Sequence, residues 1–79
     1  MFNEKHDLLH EFPEHTETIV NLKSSNVNFA QLSDEYDEVD DEIRRIETGI
    51  ENSSDEYLEE RKMLRVHLKD KLYQIIINS

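Results

Sequence analysis

Apolar residues recur along the middle of the chain at alternating steps of three and four: Phe29, Leu32, Tyr36, Val39, Ile43, Ile46 and Ile50, with almost nothing apolar between them. A mean spacing of about 3.5 residues holds one narrow stripe on one side of an α-helix, the geometry of a seam buried against a second helix. Asn26 stands where an N-cap is wanted, its side-chain oxygen free to accept from a first-turn amide. Gly49, the only glycine, stands where a left-handed residue ends a helix. The pattern predicts a helix over about 27–48.

A third helix is predicted over about 54–77, opened by Ser53 with Glu56 three residues on, the form of a capping box. At 100° per residue, Tyr57, Leu58, Leu64, Leu68, Leu72, Ile75 and Ile76 fall on one broad face of it. A second, weaker stripe lies opposite: Met63, Val66, Tyr73 and Ile77. Ahead of both long helices, Pro13 suits a first helical turn, and Leu8, Phe12, Ile19 and Leu22 keep a heptad-like spacing around it. A short helix over about 13–25 follows, broken at Ser24, Ser25 and Asn26.

The connection near 49–54 is short, which makes the two long helices antiparallel neighbours. Folding about residue 52 sets Phe29 near Ile75, Leu32 near Leu72, Tyr36 near Leu68 and Ile46 near Leu58. The acids from Asp34 to Glu42 then lie along Lys62, Arg65, Lys69 and Lys71, and Arg44 and Arg45 along Glu59 and Glu60. Such pairs are worth only about 0–1 kcal/mol each, so they set register while apolar burial supplies stability. Arg61 and Arg65 fall close to the seam, stems packed and heads reaching carboxylates. The expected fold is all-α, one domain over 1–79: an antiparallel, coiled-coil-like hairpin with a short N-terminal helix. Its core is drawn from Phe29, Leu32, Tyr36, Val39, Ile43, Ile46, Leu58, Leu64, Leu68, Leu72 and Ile75.

Composition adds a size constraint. A chain of 79 residues buries only about 60% of the surface its unfolded form exposes. With no cysteine to staple it, helix packing or self-association must compensate. Helix three is apolar on two faces, so a second copy that covers Met63, Val66, Tyr73 and Ile77 would complete a four-helix-like bundle. Alternatively, Ile19, Val20 and Leu22 of the first helix fold back over Met63, Val66 and Tyr73. The net charge of −10, nine Lys and Arg against nineteen Asp and Glu, repels nucleic acid and anionic lipid. Met1 to Phe12 has no basic region followed by an apolar run, and no stretch is long enough to span a membrane. A soluble cytoplasmic protein is the expectation.

Phe12-Pro13-Glu14, Leu22-Lys23, Asn26 followed by Phe29, Asp41-Glu42-Ile43, and Leu68-Lys69-Asp70 before Leu72 and Ile75-Ile76 together resemble the YdcH-like family of small bacterial proteins. The resemblance runs from about Phe12 to Ile76 and departs at Val27, where a proline often follows the asparagine. It implies a cytoplasmic helical hairpin and brings no established activity.

Little in the sequence points to chemistry. His6 and His10 are four apart, a spacing at which two imidazoles on one helix face reach a common metal, but no cysteine or HExxH pattern supports them. His67 lies among charged neighbours on the far side of helix three. Seven acids between Asp34 and Glu42 lack the glycine and alternate oxygens of a calcium loop, and the heptad demands helix there. No serine sits in a nucleophile elbow and no glycine-rich loop cradles phosphate. These readings predict no catalytic residue, no cofactor and no resident metal. The expectation is a non-catalytic interaction module that binds itself or another protein through apolar helix faces. The alternative is an acidic surface that occupies the basic site of a partner, as a nucleic-acid mimic or inhibitor does, and a weaker one is metal binding through His6 and His10.

Overall fold

The computed structural model describes residues 8–79. Helix α1 spans Leu8–Glu11, a single 3₁₀ turn spans Pro13–His15, and α2 (Thr16–Ser25), α3 (Val27–Glu47) and α4 (Asp55–Ile77) follow. The fold is all-α, with α3 and α4 packed as a hairpin and the N-terminal elements laid against it. Pro13 opens the 3₁₀ turn, and the regular helix begins only at Thr16, whose hydroxyl donates to the Pro13 carbonyl at 2.9 Å.

Local chemistry sets each boundary. Asn26 has extended backbone, and its Oδ1 accepts from the Phe29 amide at 3.0 Å, starting α3. At the other end the amides of Ile50 and Gly49 bond the carbonyls of Arg45 and Ile46, a Schellman closure that requires the positive φ of Gly49, 84°. Helix α4 is capped by Ser54, whose hydroxyl accepts from the Tyr57 amide at 3.1 Å. The expectation of Ser53 as cap was one residue early. Ser53 instead donates to the Ser54 carbonyl, and Asp55 and Glu56 occupy the first turn, where the helix dipole favours them.

Cross-helix ion pairs report the register. Arg65 meets Asp40 at 2.7 Å and Arg61 meets Glu42 at 3.4 Å, each one residue to either side of the pairing expected from the sequence. Lys62 reaches Glu47 at 3.1 Å. Three expected charge contacts are replaced. Arg44 pairs with Asp41 on its own helix and Arg45 with Glu51 in the turn, rather than with Glu59 and Glu60. Lys69 takes Glu11 from α1 instead of an acid of α3.

The buried apolar residues are Leu8, Ile19, Phe29, Tyr36, Val39, Ile43, Leu68, Leu72 and Ile76, with Phe12, Leu22, Leu32, Leu58, Leu64 and Ile75 half-buried against them. Ile46 is half-buried as well. At the α4 end Ile76 is the fully enclosed residue and Ile75 lies at the edge. The seam stops before Ile50, which is 78% exposed because the Schellman turn has already led the chain away from α4. Leu8 and Ile19 enter the core from the N-terminal elements and close the end of the hairpin that Phe29 and Ile76 begin.

Candidate interaction surface

Helix α4 presents Met63, Val66, Tyr73 and Ile77 away from the hairpin seam. Met63 and Val66 are 63% and 57% exposed, and Ile77 is about half exposed. With the aliphatic part of Lys62 and with His67, the first two line a shallow, open hollow of about 240 Å³. Spacing adds a residue that hydropathy alone passes over. Met63, Val66, Asp70, Tyr73 and Ile77 continue a 3,4 repeat down the outside of α4, so the exposed Asp70 sits in the middle of the stripe and divides it. That repeat was readable from the sequence once position, rather than polarity, was the criterion.

The stripe is partly covered from within. Phe12 stacks on Tyr73 with ring centroids 5.3 Å apart and planes 26° from parallel, and His15 meets Tyr73 edge-on at 6.2 Å. The expected cover by Ile19, Val20 and Leu22 does not form in that way. Ile19 points into the core, Val20 is exposed and Leu22 lies beside Gln74 and Ile75, and the aromatic cover on the stripe comes from Phe12 and His15 at Tyr73. The Lys69 ammonium lies 5.8 Å from the Phe12 ring centre, a cation–π approach that ties the same contact to the Glu11 pair.

A polar cluster lies beside the stripe, under α1. Asp40 is only 1% exposed and takes the Arg65 guanidinium at 2.7 Å. Tyr36 is buried one turn before it, and Glu11, Tyr36, Arg65, Val66 and Lys69 surround a cavity of about 200 Å³. Burial pushes the Tyr36 hydroxyl well above the usual phenol range, with the negative charges of Glu11 and Asp40 adding to the shift and Arg65 opposing it. The acidic run was expected to form a solvated or salt-bridged face. Asp34, Glu35 and Glu38 are exposed, but Asp40 is buried in its pair. A helical wheel places Asp40 near the seam, and only the position of Arg65 on α4 makes its burial tolerable. On the outer edge of the hairpin, Tyr57 donates to Glu42, which raises the Tyr57 pKa, and the Arg61 guanidinium lies 5.5 Å from its ring centre.

Among the described residues no three His, Cys, Asp or Glu side chains gather as a metal site. His10 is exposed on α1, while His6, its expected companion, lies outside the described residues. No helix among the described residues is long and apolar enough to cross a membrane.

A family model described as "Protein of unknown function (DUF465)" matches residues 29–76, from the first buried residue of α3 to the last of α4. The chain belongs to the DUF465 family. YdcH-like proteins are members of it, so the resemblance carried by Asp41-Glu42-Ile43 and Leu68-Lys69-Asp70 reflects family membership. The DUF465 match covers the hairpin and not α1 or α2. Searches of the curated proteins and of the solved structures find no match.

Proposed function

We propose that this chain is a non-catalytic helical interaction module that buries the outer face of α4 against a helix of another chain, with a second copy as the first candidate. The observation that carries the reading is the pairing of Met63 and Val66, both more than half exposed, on a helix whose opposite face is locked into the core by Leu68, Leu72 and Ile76. Apolar side chains held on a rigid element lose little entropy on docking, and contiguous exposed apolar surface marks contact sites. A cytoplasmic location belongs to the same reading.

Sedimentation at about 10–100 μM and about 0.15 M salt tests it, the range in which a micromolar interface is populated. A dimeric mass that returns to monomer on Val66→Glu is expected, and added salt should tighten the dimer because each copy carries −10. A monomeric mass throughout sinks self-association by this face. The acidic outer side of α3, with Asp34, Glu35 and Glu38 exposed, favours a second reading in which a basic partner is bound by charge. Salt separates the two, since apolar docking survives about 0.5 M salt whereas charge docking fades as screening shortens to a few ångströms.

A further inference from the structure

A single residue separates α2 from α3. Asn26 has φ −126° and ψ 104°, yet helical bonding reaches it from both sides: its amide donates to the Leu22 carbonyl and its carbonyl accepts from the Ala30 amide. A helix running straight through would add bonds from the amides of Val27, Asn28 and Phe29 to the carbonyls of Lys23, Ser24 and Ser25. One local substitute stands in for them, at the Phe29 amide. The Asn26 side chain takes the Phe29 amide, and the Ser24 and Ser25 hydroxyls turn back to the Asn21 carbonyl. Val27, just past the break, is 75% exposed, and neither proline nor glycine occurs between Ser24 and Asn28. The bend is therefore held by one side-chain cap and by the docking of what precedes it.

What precedes it cannot be left open to water. Leu8 and Ile19 are fully enclosed by the hairpin, Glu11 is held by Lys69, and Phe12 stacks on Tyr73. Helix α1 has four residues, far fewer than the dozen or so a helix needs to persist alone, so these contacts are what keep it formed. An arm that swings out regains them in one place only, the same groove on a second copy. We infer that the α1–α2 arm exchanges between two copies. Asn26 becomes helical, α2 and α3 join into one helix over 16–47, and each copy's Leu8, Glu11, Phe12 and Ile19 fill the other's hairpin. The result is a reciprocal two-fold dimer in which every arm contact is re-formed. It uses the interior groove and not the outer face of α4. Its balance against the monomer is set by the hinge and by concentration, because a tethered arm competes at an effective concentration in the millimolar range.

Complementary charge reversal tests this. Glu11→Lys on one population and Lys69→Glu on another leave like charges facing each other within each monomer. In a mixed, exchanged dimer both opposite-sign pairs are restored. Sedimentation of the equimolar mixture at about 100 μM should show about tenfold more dimer than either variant alone, the ratio expected when two pairs each contribute a few-fold. Val27→Pro in both chains should remove that dimer, because proline suits a first helical turn and disfavours helical backbone at the preceding residue. Asn26→Ala should raise it, and Met63→Glu, on the outer row and away from the Glu11–Lys69 pair, should leave it unchanged. The double variant Glu11→Lys/Lys69→Glu in one chain checks that the reversed charges permit folding. If the single variants are unfolded alone, a helical dimer on mixing supports exchange, and a mixture that stays unfolded while the double variant folds overturns it. A mixture that remains monomeric also overturns it, as does a dimer that survives Val27→Pro and is lost with Met63→Glu, which would be association through the α4 stripe.

Discussion

The two sides of α4 both keep a helical spacing and meet different fates. Toward α3, Leu68, Leu72 and Ile76 are sealed; away from it, Met63, Val66 and Ile77 stand in solvent. The inner row steps by four, and the outer row, counted with Asp70 and Tyr73, by three and four. The inner row has a partner in its own chain and is joined by Arg65, whose charge is answered by Asp40. The outer row has the exposed Asp70 at its centre, between Val66 and Tyr73, and receives aromatic cover where Phe12 and His15 reach Tyr73. Periodicity shows that a row is meant to face something; the polar residue inside the row shows whether that something answers charge.

The largest test of the contrast is truncation on each side. Leu68→Ala should cost about 2–5 kcal/mol, enough to unfold a domain this small, since it leaves a cavity between two long helices. Val66→Ala on the outer row should stay within about 0.5 kcal/mol. Chemical denaturation followed by helical signal measures both, and a loss under about 1 kcal/mol at Leu68 would remove it from the core.

Next comes the charge at the inner row. Asp40→Ala leaves the Arg65 guanidinium without its buried partner and should cost about 3 kcal/mol, the low end for a broken buried pair because Arg65 is partly in solvent. Replacing both at once, Asp40→Leu with Arg65→Met, should recover most of that loss, because two desolvated charges are then absent. Failure of the double variant to recover would mean that the pair specifies the helix register and does more than tolerate its own burial.

These two tests bear on what the sequence made legible. The hairpin, its direction and its approximate register followed from the stripe, the single glycine and the alternation of acids and bases. Helices α3 and α4 pack against each other in that arrangement. The departures have local causes. Ser53 and Ser54 are equivalent as capping residues in sequence, and only the path of the turn selects Ser54. Arg44 and Arg45 found nearer carboxylates at Asp41 and Glu51, because side chains close to a turn fold back before they reach across. The N-terminal elements were least legible. Leu8 and Ile19 keep a heptad-like spacing, but they lie on short segments on either side of Pro13, and their burial depends on the hairpin that receives them. The outer stripe was visible as hydropathy, while its interruption at Asp70 required reading position.

A third test is pH. Tyr36 holds its proton more tightly when folded than the ordinary phenol value of 10.0. Above that pH the unfolded chain loses the proton first, so it binds fewer protons than the native state and stability falls as pH rises. The slope from this group approaches about 1.4 kcal/mol per pH unit until the folded phenol itself ionises. Below the unfolded value its contribution is fully present. Denaturation midpoints between about pH 9 and 11 for the native chain and for Tyr36→Phe should diverge, with the variant losing less. Parallel curves would place the alkaline loss elsewhere.

The smallest and most discriminating change is at Asp70. If the outer row docks against a second copy, burying this carboxylate exacts a desolvation cost that a two-fold neighbour bearing the same acid cannot repay. Asp70→Leu would join the Met63 and Val66 half of the stripe to the Tyr73 and Ile77 half and remove one negative charge from each chain. Monomer stability should barely move, within about 0.5 kcal/mol, because the site is exposed. Association should tighten by about tenfold, on the order of the 1.4 kcal/mol that partial burial of a leucine supplies. The salt dependence should weaken at the same time, since less like charge remains to be screened. A loosened complex would instead mean that Asp70 meets a cation of the second copy. An unchanged monomeric mass would remove the outer row from self-association altogether.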